Sequence, residues 1–351
     1  MAYSHGHEWT DKELELLKEL AKKGCSTKEI AVNFGMRITQ IRGKLQSEGV
    51  KITPREDVQK GPTFDIEDPI ERLPDQELSE ALCARGYKVE KIIPDEVDRH
   101  TRIDPKLFEG EKIQFAVLSC THLGSKYQQL THLYSFYRYI QDRGIKVVLH
   151  AGDMVDGIDV YDGHKFEIFI HGVDAQRDYA IEHYPKMENG GKTFVISGNH
   201  DHSFQKRAGS NIVKDIAAKR EDIEYLGIYG AYPSLPRNLK VYIQHGSGGP
   251  AYAQSYKMQR NIEKMSPEKK PDLYFLGHFH SSCLLLEYRN VSGFMLPSFQ
   301  AQTPHAVRNG WPTENGGFII TITINDRERK NGISKTQFEF VPFYVPLEKD
   351  Y

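Results

Sequence analysis

The chain has 351 residues, of which 39% are hydrophobic and 27% charged, and its formal net charge is -2; this is the make-up of an ordinary globular protein with room for one large domain and one small one. The charge balance excludes a generally basic protein, so any contact with nucleic acid has to come from a local patch. Four cysteines, Cys25, Cys83, Cys120 and Cys283, share no close spacing, which argues against a disulfide framework and suits a reducing compartment.

The N-terminus, MAYSHGHEWTDKELE, has no apolar leader core, and no apolar run reaches the roughly 20 residues of a membrane span. A cytoplasmic protein without membrane contact is expected. Thr10 followed by Glu13 reads as a capping box that opens a helix carrying Leu14, Leu17 and Leu20 at helical spacing, with Gly24 as its stop. Ser26 and Glu29 repeat the signal before IAVNF, and Gly35 supplies a turn. A third segment, Ile38 to Ser47, turns Ile41 and Leu45 inward and ends at Gly49. Helix, short helix, tight turn and helix over residues 1–50 is the helix-turn-helix plan of an all-α DNA-binding domain. The stretch resembles the Myb-like and homeodomain-like modules in its W-T-x-x-E-x-x-x-L-x-x-L pattern followed by G-x-S-x-x-E-I-A. Its third segment displays Arg37, Gln40, Arg42, Lys44 and Gln46 with no acidic residue before Glu48, a set suited to phosphates and base edges. The alternative is a solvated face on a small protein-docking module.

From residue 51 to about 110 the composition changes. Pro54, Pro62, Pro69, Pro74, Pro94 and Pro105 interrupt any long helix, and one short helix from Asp75 to Arg85, stopped by Gly86, is the clear element. This stretch reads as a linker, or as an arm packed on the large domain of residues 111–351.

Beyond Glu111 one rule recurs: a β-type apolar run ends, and cation-binding residues follow. IQFAVLS leads to Cys120 and His122, and IKVVLHAG to Asp153 and Asp156. KTFVISG leads to Asn199, His200 and Asp201, LKVYIQ to His245, and DLYFLG to His278 and His280. Open α/β sheets place their sites past the carboxyl ends of strands. A single histidine after a strand is more often an ordinary hydrogen-bonded residue, but independent strands would not all end in one complementary donor set. Together these donors suffice for two cations in one cleft. Tyr127 and the YSFYRYI segment could stack on bases, yet Tyr134, Tyr137 and nearby aliphatics at helical spacing read better as the buried face of a crossover helix. GPAYAQSYKMQRNIEKM reads as another helix, with Lys257, Arg260 and Lys264 as a basic rim.

The ordered set GDMVD, GNHD, QHG and GHFH, after a first strand ending x-x-H, resembles the calcineurin-like metallophosphoesterases from the first strand through the closing strands around Gly317 to Ile324. The resemblance implies a four-layer α/β/β/α sandwich with two divalent ions at the sheet ends. It implies Cys120, His122 and His280 on the first ion, Asn199, His245 and His278 on the second, and Asp153 bridging both. It also implies His200 as a catalytic histidine off the metals, Asp201 orienting it, and Asp156 as a carboxylate behind the ligands. Such ions, roughly 3.5 to 4 Å apart, share a hydroxide and neutralise an in-line phosphoryl transition state. His200 would protonate the leaving oxygen or bind a phosphate oxygen.

The protein-phosphatase branch of that family carries an arginine after its second motif and GNHE in its third; GDMVDGI and GNHD depart from it and look more like the break-repair nucleases and small phosphodiesterases. With the N-terminal module, this points to a metal-dependent phosphodiesterase acting on DNA. The resemblance to the repair branch also brings the homodimer into view. Two alternatives stand beside it: a phosphatase or phosphodiesterase for small nucleotides or phosphoproteins, and a DNA-binding regulatory protein with a weakened site. The third is motivated by Cys120, which stands where the family has aspartate. Cys120 is a thiolate ligand, an inert buried thiol or a redox control point. Ligation fits an otherwise intact donor set, and a bound cation would deprotonate the thiol. The family resemblance suggests Mn²⁺, while sulfur favours Zn²⁺ or Fe²⁺.

Overall fold

The computed structural model describes residues 9–51, 98–324 and 333–351, apart from Gly24, Ser26, Gly35, Arg37, Glu109 and Glu111. The expected stop at Gly24, cap at Ser26, turn at Gly35, the contact residue Arg37, Cys83 and the helix over 75–85 lie outside the described residues. The chain divides into two units, residues 1–90 and 91–351.

In the first unit, α1 (Asp11–Lys22), α2 (Thr27–Phe34) and α3 (Ile38–Ser47) follow one another. The capping box at α1 is present. The Glu13 N–H donates to Thr10 Oγ1 at 3.3 Å and the Thr10 N–H to Glu13 Oε2 at 2.8 Å, satisfying two amides that the first turn leaves open. Leu17 and Ala21 of α1, Ile30 and Ala31 of α2, and Ile41 and Leu45 of α3 are buried in one small core. The Trp9 and Phe34 rings meet beside it, 5.3 Å apart.

The second unit is built on two mixed six-stranded sheets. Its elements in order are β1 (Arg99–Arg102), β2 (Lys112–Leu118), α4 (Leu130–Gln141), β3 (Val147–His150), α5 (Val173–His183), β4 (Lys192–Ser197), α6 (Asn199–Ala208), α7 (Ile212–Ala217), β5 (Ile223–Ile228), β6 (Gly230–Leu235), β7 (Leu239–His245), α8 (Tyr256–Lys264), β8 (Leu273–Gly277), β9 (Cys283–Tyr288), β10 (Val291–Met295), α9 (Pro304–Arg308), β11 (Gly316–Ile324) and β12 (Ile333–Pro342). One sheet runs β12-β11-β2-β3-β4-β5 and the other β1-β6-β7-β8-β10-β9. In the first, β2 to β5 are parallel while β11 lies antiparallel to β2. In the second, β7 runs parallel to β8.

Alternation along the strands sorts side chains into layers. Phe115, Val117, Leu149, Phe194 and Ile320 of the first sheet meet Ile243, Phe275 and Phe294 of the second in the core between the sheets. The neighbouring positions Ala116, Leu118, Val148 and Val195 face outward to Leu133, Phe136 and Tyr137 of α4, Phe204 of α6 and Val213 of α7. On the far side, Tyr242, Tyr274 and Leu276 pack on Met258 and Ile262 of α8. The layers are therefore helix, sheet, sheet, helix.

Two boundaries differ from expectation. β1, inside the segment read as a linker or arm, pairs with β6 as the edge strand of the second sheet. The helix expected from Gly249 begins only at Tyr256, and residues 249–255 form a loop ahead of it. The YSFYRYI segment lies in α4, with Tyr137 buried and bonded to Tyr184 and Thr193; Tyr134, expected on the same buried face, is instead exposed and donates to the His183 carbonyl at 2.8 Å. No helix among the described residues is long and apolar enough to cross a membrane.

Candidate metal centre

All five donor segments leave their strands at one end of the two sheets. Those after β2, β3 and β4 come from the first sheet, and those at the ends of β7 and β8 from the second. The turns are tight. Cys120, His122, Asp153, His278 and His280 all have positive φ, from +46° to +89°, a region that costs a non-glycine residue on the order of 1–3 kcal/mol. Five of the seven expected donors thus share an uncommon backbone state that aims successive side chains into one space. Glycine is needed where loops meet: a Cβ at Gly198 would collide with Asp153 Oδ1, and one at Gly152, φ +87°, would stand 2.7 Å from His245 Nδ1.

Three of the four donor imidazoles, those of His122, His245 and His278, are tied at one nitrogen and turned inward with the other. His122 donates from Nδ1 to Asp156 Oδ1 at 2.9 Å, and its Nε2 lies 3.1 Å from His280 Nε2. His245 donates from Nδ1 to the Ala151 carbonyl at 2.8 Å. This leaves its Nε2 at 3.0 Å from both Asp153 Oδ2 and Asn199 Oδ1. His278 donates from Nε2 to the Gly248 carbonyl at 2.9 Å, so its Nδ1 faces Asn199 Oδ1 at 2.9 Å and His245 Nε2 at 3.2 Å. Tying one nitrogen fixes the tautomer and leaves the lone pair of the other for a cation. Asp153 Oδ2 also stands 3.9 Å from His122 Nε2, so one carboxylate oxygen faces both histidine groups.

The donor set fits divalent cations. Candidate ligand atoms of Cys120, His122 and His280 lie within 4.8 Å of one another, as do those of Cys120, Asp153 and His245. The facing Nε2 atoms of His122 and His280 are an arrangement that a cation between them would satisfy better than the single proton they can share. The Cys120 thiol belongs to both triplets. It is fully buried, 3.0 Å from Ser119 Oγ, and accepts from the His278 N–H at 3.3 Å. Burial, and then the Asp153 charge, push the thiol well above its ordinary value. Without a cation it is neutral; ligation would have to supply the charge that removes its proton.

Burial by itself would raise the Asp153 carboxyl, but His245 and His200 outweigh it and hold it well below the usual range. Burial lowers His278 and His200 to about 4, and His280 further. Imidazoles that resist protonation are available as ligands.

Around the donors, Asp156 stands behind His122. Its Oδ2 lies 3.3 Å from His164 Nε2, an electrostatic contact rather than a formed hydrogen bond, and Gln300 Nε2 donates to Oδ1 at 3.3 Å. His200 lies at the cleft, donating from Nδ1 to the Asp156 carbonyl at 2.6 Å. Asp201 differs from its expected role. Its carboxylate accepts from the Met154, Val155 and Gly198 amides at 3.2, 2.9 and 2.8 Å. It clamps the loop after β3 to the start of α6, and the Asp156 carbonyl orients His200 instead. Burial raises Asp201 to about 6.

Of the expected nucleic-acid contacts on α3, Gln40 and Arg42 are exposed. Lys44 is half-buried, 2.8 Å from Glu48 and over the Trp9 ring, so part of its charge is already engaged. Sequence reasoning missed His164, Gln300, Tyr161, His305 and Trp311, none of which follows an apolar strand at motif spacing. A cleft of about 280 Å³ adjoins the donors and is lined by Asp153, Asn199, His200, His278 and His280 together with Tyr161, His305 and Trp311.

The profile of the calcineurin-like phosphoesterase family matches residues 113–282. Curated relatives are DNA polymerase II small subunits. That of Archaeoglobus fulgidus is 26% identical over 55% of this chain and 48% of its own length. That of Thermoplasma acidophilum is 22% identical over 56% and 47%, and that of Methanothermobacter thermautotrophicus 30% identical over 40% and 32%. The chain spans about half the length of the first two. A solved structure, a single mutant of Vps29 from Entamoeba histolytica, covers 66% of this chain and 99% of its own at 14% identity and TM-score 0.30. Within this chain, residues 113–282, which hold all seven candidate donors, are a calcineurin-like metallophosphoesterase domain.

Proposed function

We propose that the chain is a metal-dependent phosphodiesterase that hydrolyses DNA, with the first three helices acting as a helix-turn-helix that holds the substrate. The observation that carries it is the convergence of seven donors from five strand ends on one cleft, with His200 beside them; similarity to polypeptides named DNA polymerase II small subunits supports DNA as the polymer. Two divalent ions there would supply a nucleophilic hydroxide and neutralise charge on the phosphoryl oxygens. Cys120, His122 and His280 would hold one, Asn199, His245 and His278 the other, and Asp153 both. Mn²⁺ is the reading for the nitrogen and oxygen donors, with Zn²⁺ or Fe²⁺ brought in by the thiol.

The remaining residues place protons and charge. With Nδ1 committed to the Asp156 carbonyl, His200 presents Nε2 to the substrate. An anionic phosphodiester beside it raises its proton affinity and lets it bind or protonate the leaving oxygen. Asp156 keeps the His122 tautomer, and Asp201 keeps the loop that carries Asp153 in place.

Purified protein with Mn²⁺ is expected to release nucleotides or fragments from DNA, and His200→Ala to slow this by about 10²–10⁴-fold. No release, or an unaffected His200→Ala variant, would sink the proposal. Comparing a chromogenic bis-ester with a mono-ester separates this reading from a phosphatase acting on small nucleotides or phosphoproteins. DNA binding that survives complete metal removal, without turnover, would favour a regulatory protein with a weakened site.

A further inference from the structure

Beside the donors the cleft changes character. The Tyr161 and His305 rings stack with centroids 3.9 Å apart and planes within 21°, and Trp311 meets His305 edge-on at 5.4 Å. All three are half-buried, with remaining surface on the same cleft as Asp153 and Asn199. They are held from behind. Tyr161 Oη donates to Glu167 Oε2 at 2.6 Å, and the other oxygen of that carboxylate accepts the His305 N–H at 3.3 Å. The indole is fixed through its backbone, whose N–H donates to the Ala306 carbonyl at 3.0 Å and whose carbonyl accepts from Gln302 Nε2 at 2.6 Å. Across from it, a Cβ at Gly249 would stand 3.3 Å from the indole.

We propose that this aromatic wall is a nucleobase pocket, taking one unpaired base of the DNA strand whose phosphate lies at the donors. The inference rests on the phosphodiesterase reading and deepens it to single-stranded or frayed DNA. The cleft offers two chemistries side by side: a polar cluster that suits a phosphate, and flat aromatic surface that suits a π-face. A nucleotide joins these two in one ligand. A base inside a duplex is stacked on both faces and must be flipped out to reach such a wall, whereas a single strand presents its bases freely. Stacking is tolerant of base identity, so the pocket selects an unpaired state rather than a sequence. A second groove supports a strand passing through. Lys257, Arg260 and Lys264 of α8 line it with Asn261, and Phe279 is common to both. Arg260 is paired with Glu263 at 2.9 Å, whereas Lys257, over the Phe279 ring, donates only to the neutral Ser247 carbonyl at 3.4 Å, so Lys257 and Lys264 carry the charge offered to the backbone.

The test is calorimetric titration of the Mn²⁺-loaded full chain with deoxyadenosine 5′-monophosphate and with 2-deoxyribose 5-phosphate, which lacks the base. The wild type should bind the nucleotide at least about fivefold more tightly. Trp311→Ala should remove that preference while leaving the affinity for the sugar phosphate unchanged, which also controls for folding. Trp311→Phe, which keeps a stacking face, should retain most of the preference. Equal affinities in the wild type, including no binding of either probe, overturn the pocket, as does a Trp311→Ala variant that weakens both alike. A chain that cuts DNA but binds the probes equally keeps the phosphodiesterase and loses the pocket. A chain that discriminates the probes but leaves DNA intact keeps the pocket and loses the phosphodiesterase.

Discussion

Cys120 shows how much a single side chain decides. Its φ of +56° and complete burial place the thiol between two groups of donors. A thiolate carries the single negative charge of a carboxylate but sits one bond closer to the backbone. The metal to sulfur distance of about 2.3 Å, against roughly 2.1 Å for oxygen, recovers part of that reach. Cys120→Ser, which cannot offer a stable anion, is therefore expected to lose one of two metal equivalents, and Cys120→Asp to keep both and shift preference toward Mn²⁺; elemental analysis of dialysed protein checks this. Two equivalents in the serine variant would refute ligation. The other donors were legible because an apolar strand ending in His, Asp or Asn breaks its own pattern. The positive φ values were not, since nothing in the composition of SCTHLGS or LGHFH marks a left-handed residue. Asp201 was legible as a site residue but not in its role, because hydrogen bonds to loop amides depend on which segments the fold brings together.

At the scale of elements, the strand ends aim the donors only if the sheet and its covering helices keep register. Arg220, after α7, is a joint in that frame. It grips both oxygens of Asp222 at 2.7 Å and donates to the Ile181, Tyr184 and Pro185 carbonyls at the end of α5 and just beyond it. Asp222 in turn accepts the Met187 N–H at 2.9 Å. Burial would raise the Asp222 carboxyl, but Arg220 and that amide outweigh it and lower it. A carboxyl lowered in the folded state adds stability that is present above its unfolded value, about 3.9, and is lost as pH falls through the folded value. Asp222→Asn is expected to cost about 1–3 kcal/mol at neutral pH, and to show less acid-dependent loss than the wild type in urea melts at descending pH. Strands β2, β3, β4, β7 and β8 were readable from apolar runs; β1, with the polar sequence RHTR, was not. His305 and Trp311 escaped for a related reason. They sit in and after a five-residue helix whose position is set by the Glu167 carboxylate far away in the chain.

For the whole molecule, the proposed division of labour is a helical unit that holds DNA and a phosphoesterase unit that cuts it. If exposed Arg42 contacts the phosphate backbone, Arg42→Glu should weaken DNA binding by about tenfold and flatten its salt dependence, while turnover of a small bis-ester stays unchanged. Unchanged DNA affinity in a fluorescence-anisotropy titration would instead leave the helices as a docking module for another protein. The layered sandwich was legible in the order of the motifs, whereas the choice of substrate depends on surfaces that no periodicity reveals. The central claim is that the converging donors form a centre that cuts DNA, and Asp153 is the residue on which both halves of that centre depend. The most direct measurement is release of label from single-stranded DNA at saturating Mn²⁺ by wild type and Asp153→Asn, prepared side by side. Turnover by the wild type and a loss of at least about 100-fold in the variant are predicted; equal release by both, or none by the wild type, would contradict the claim.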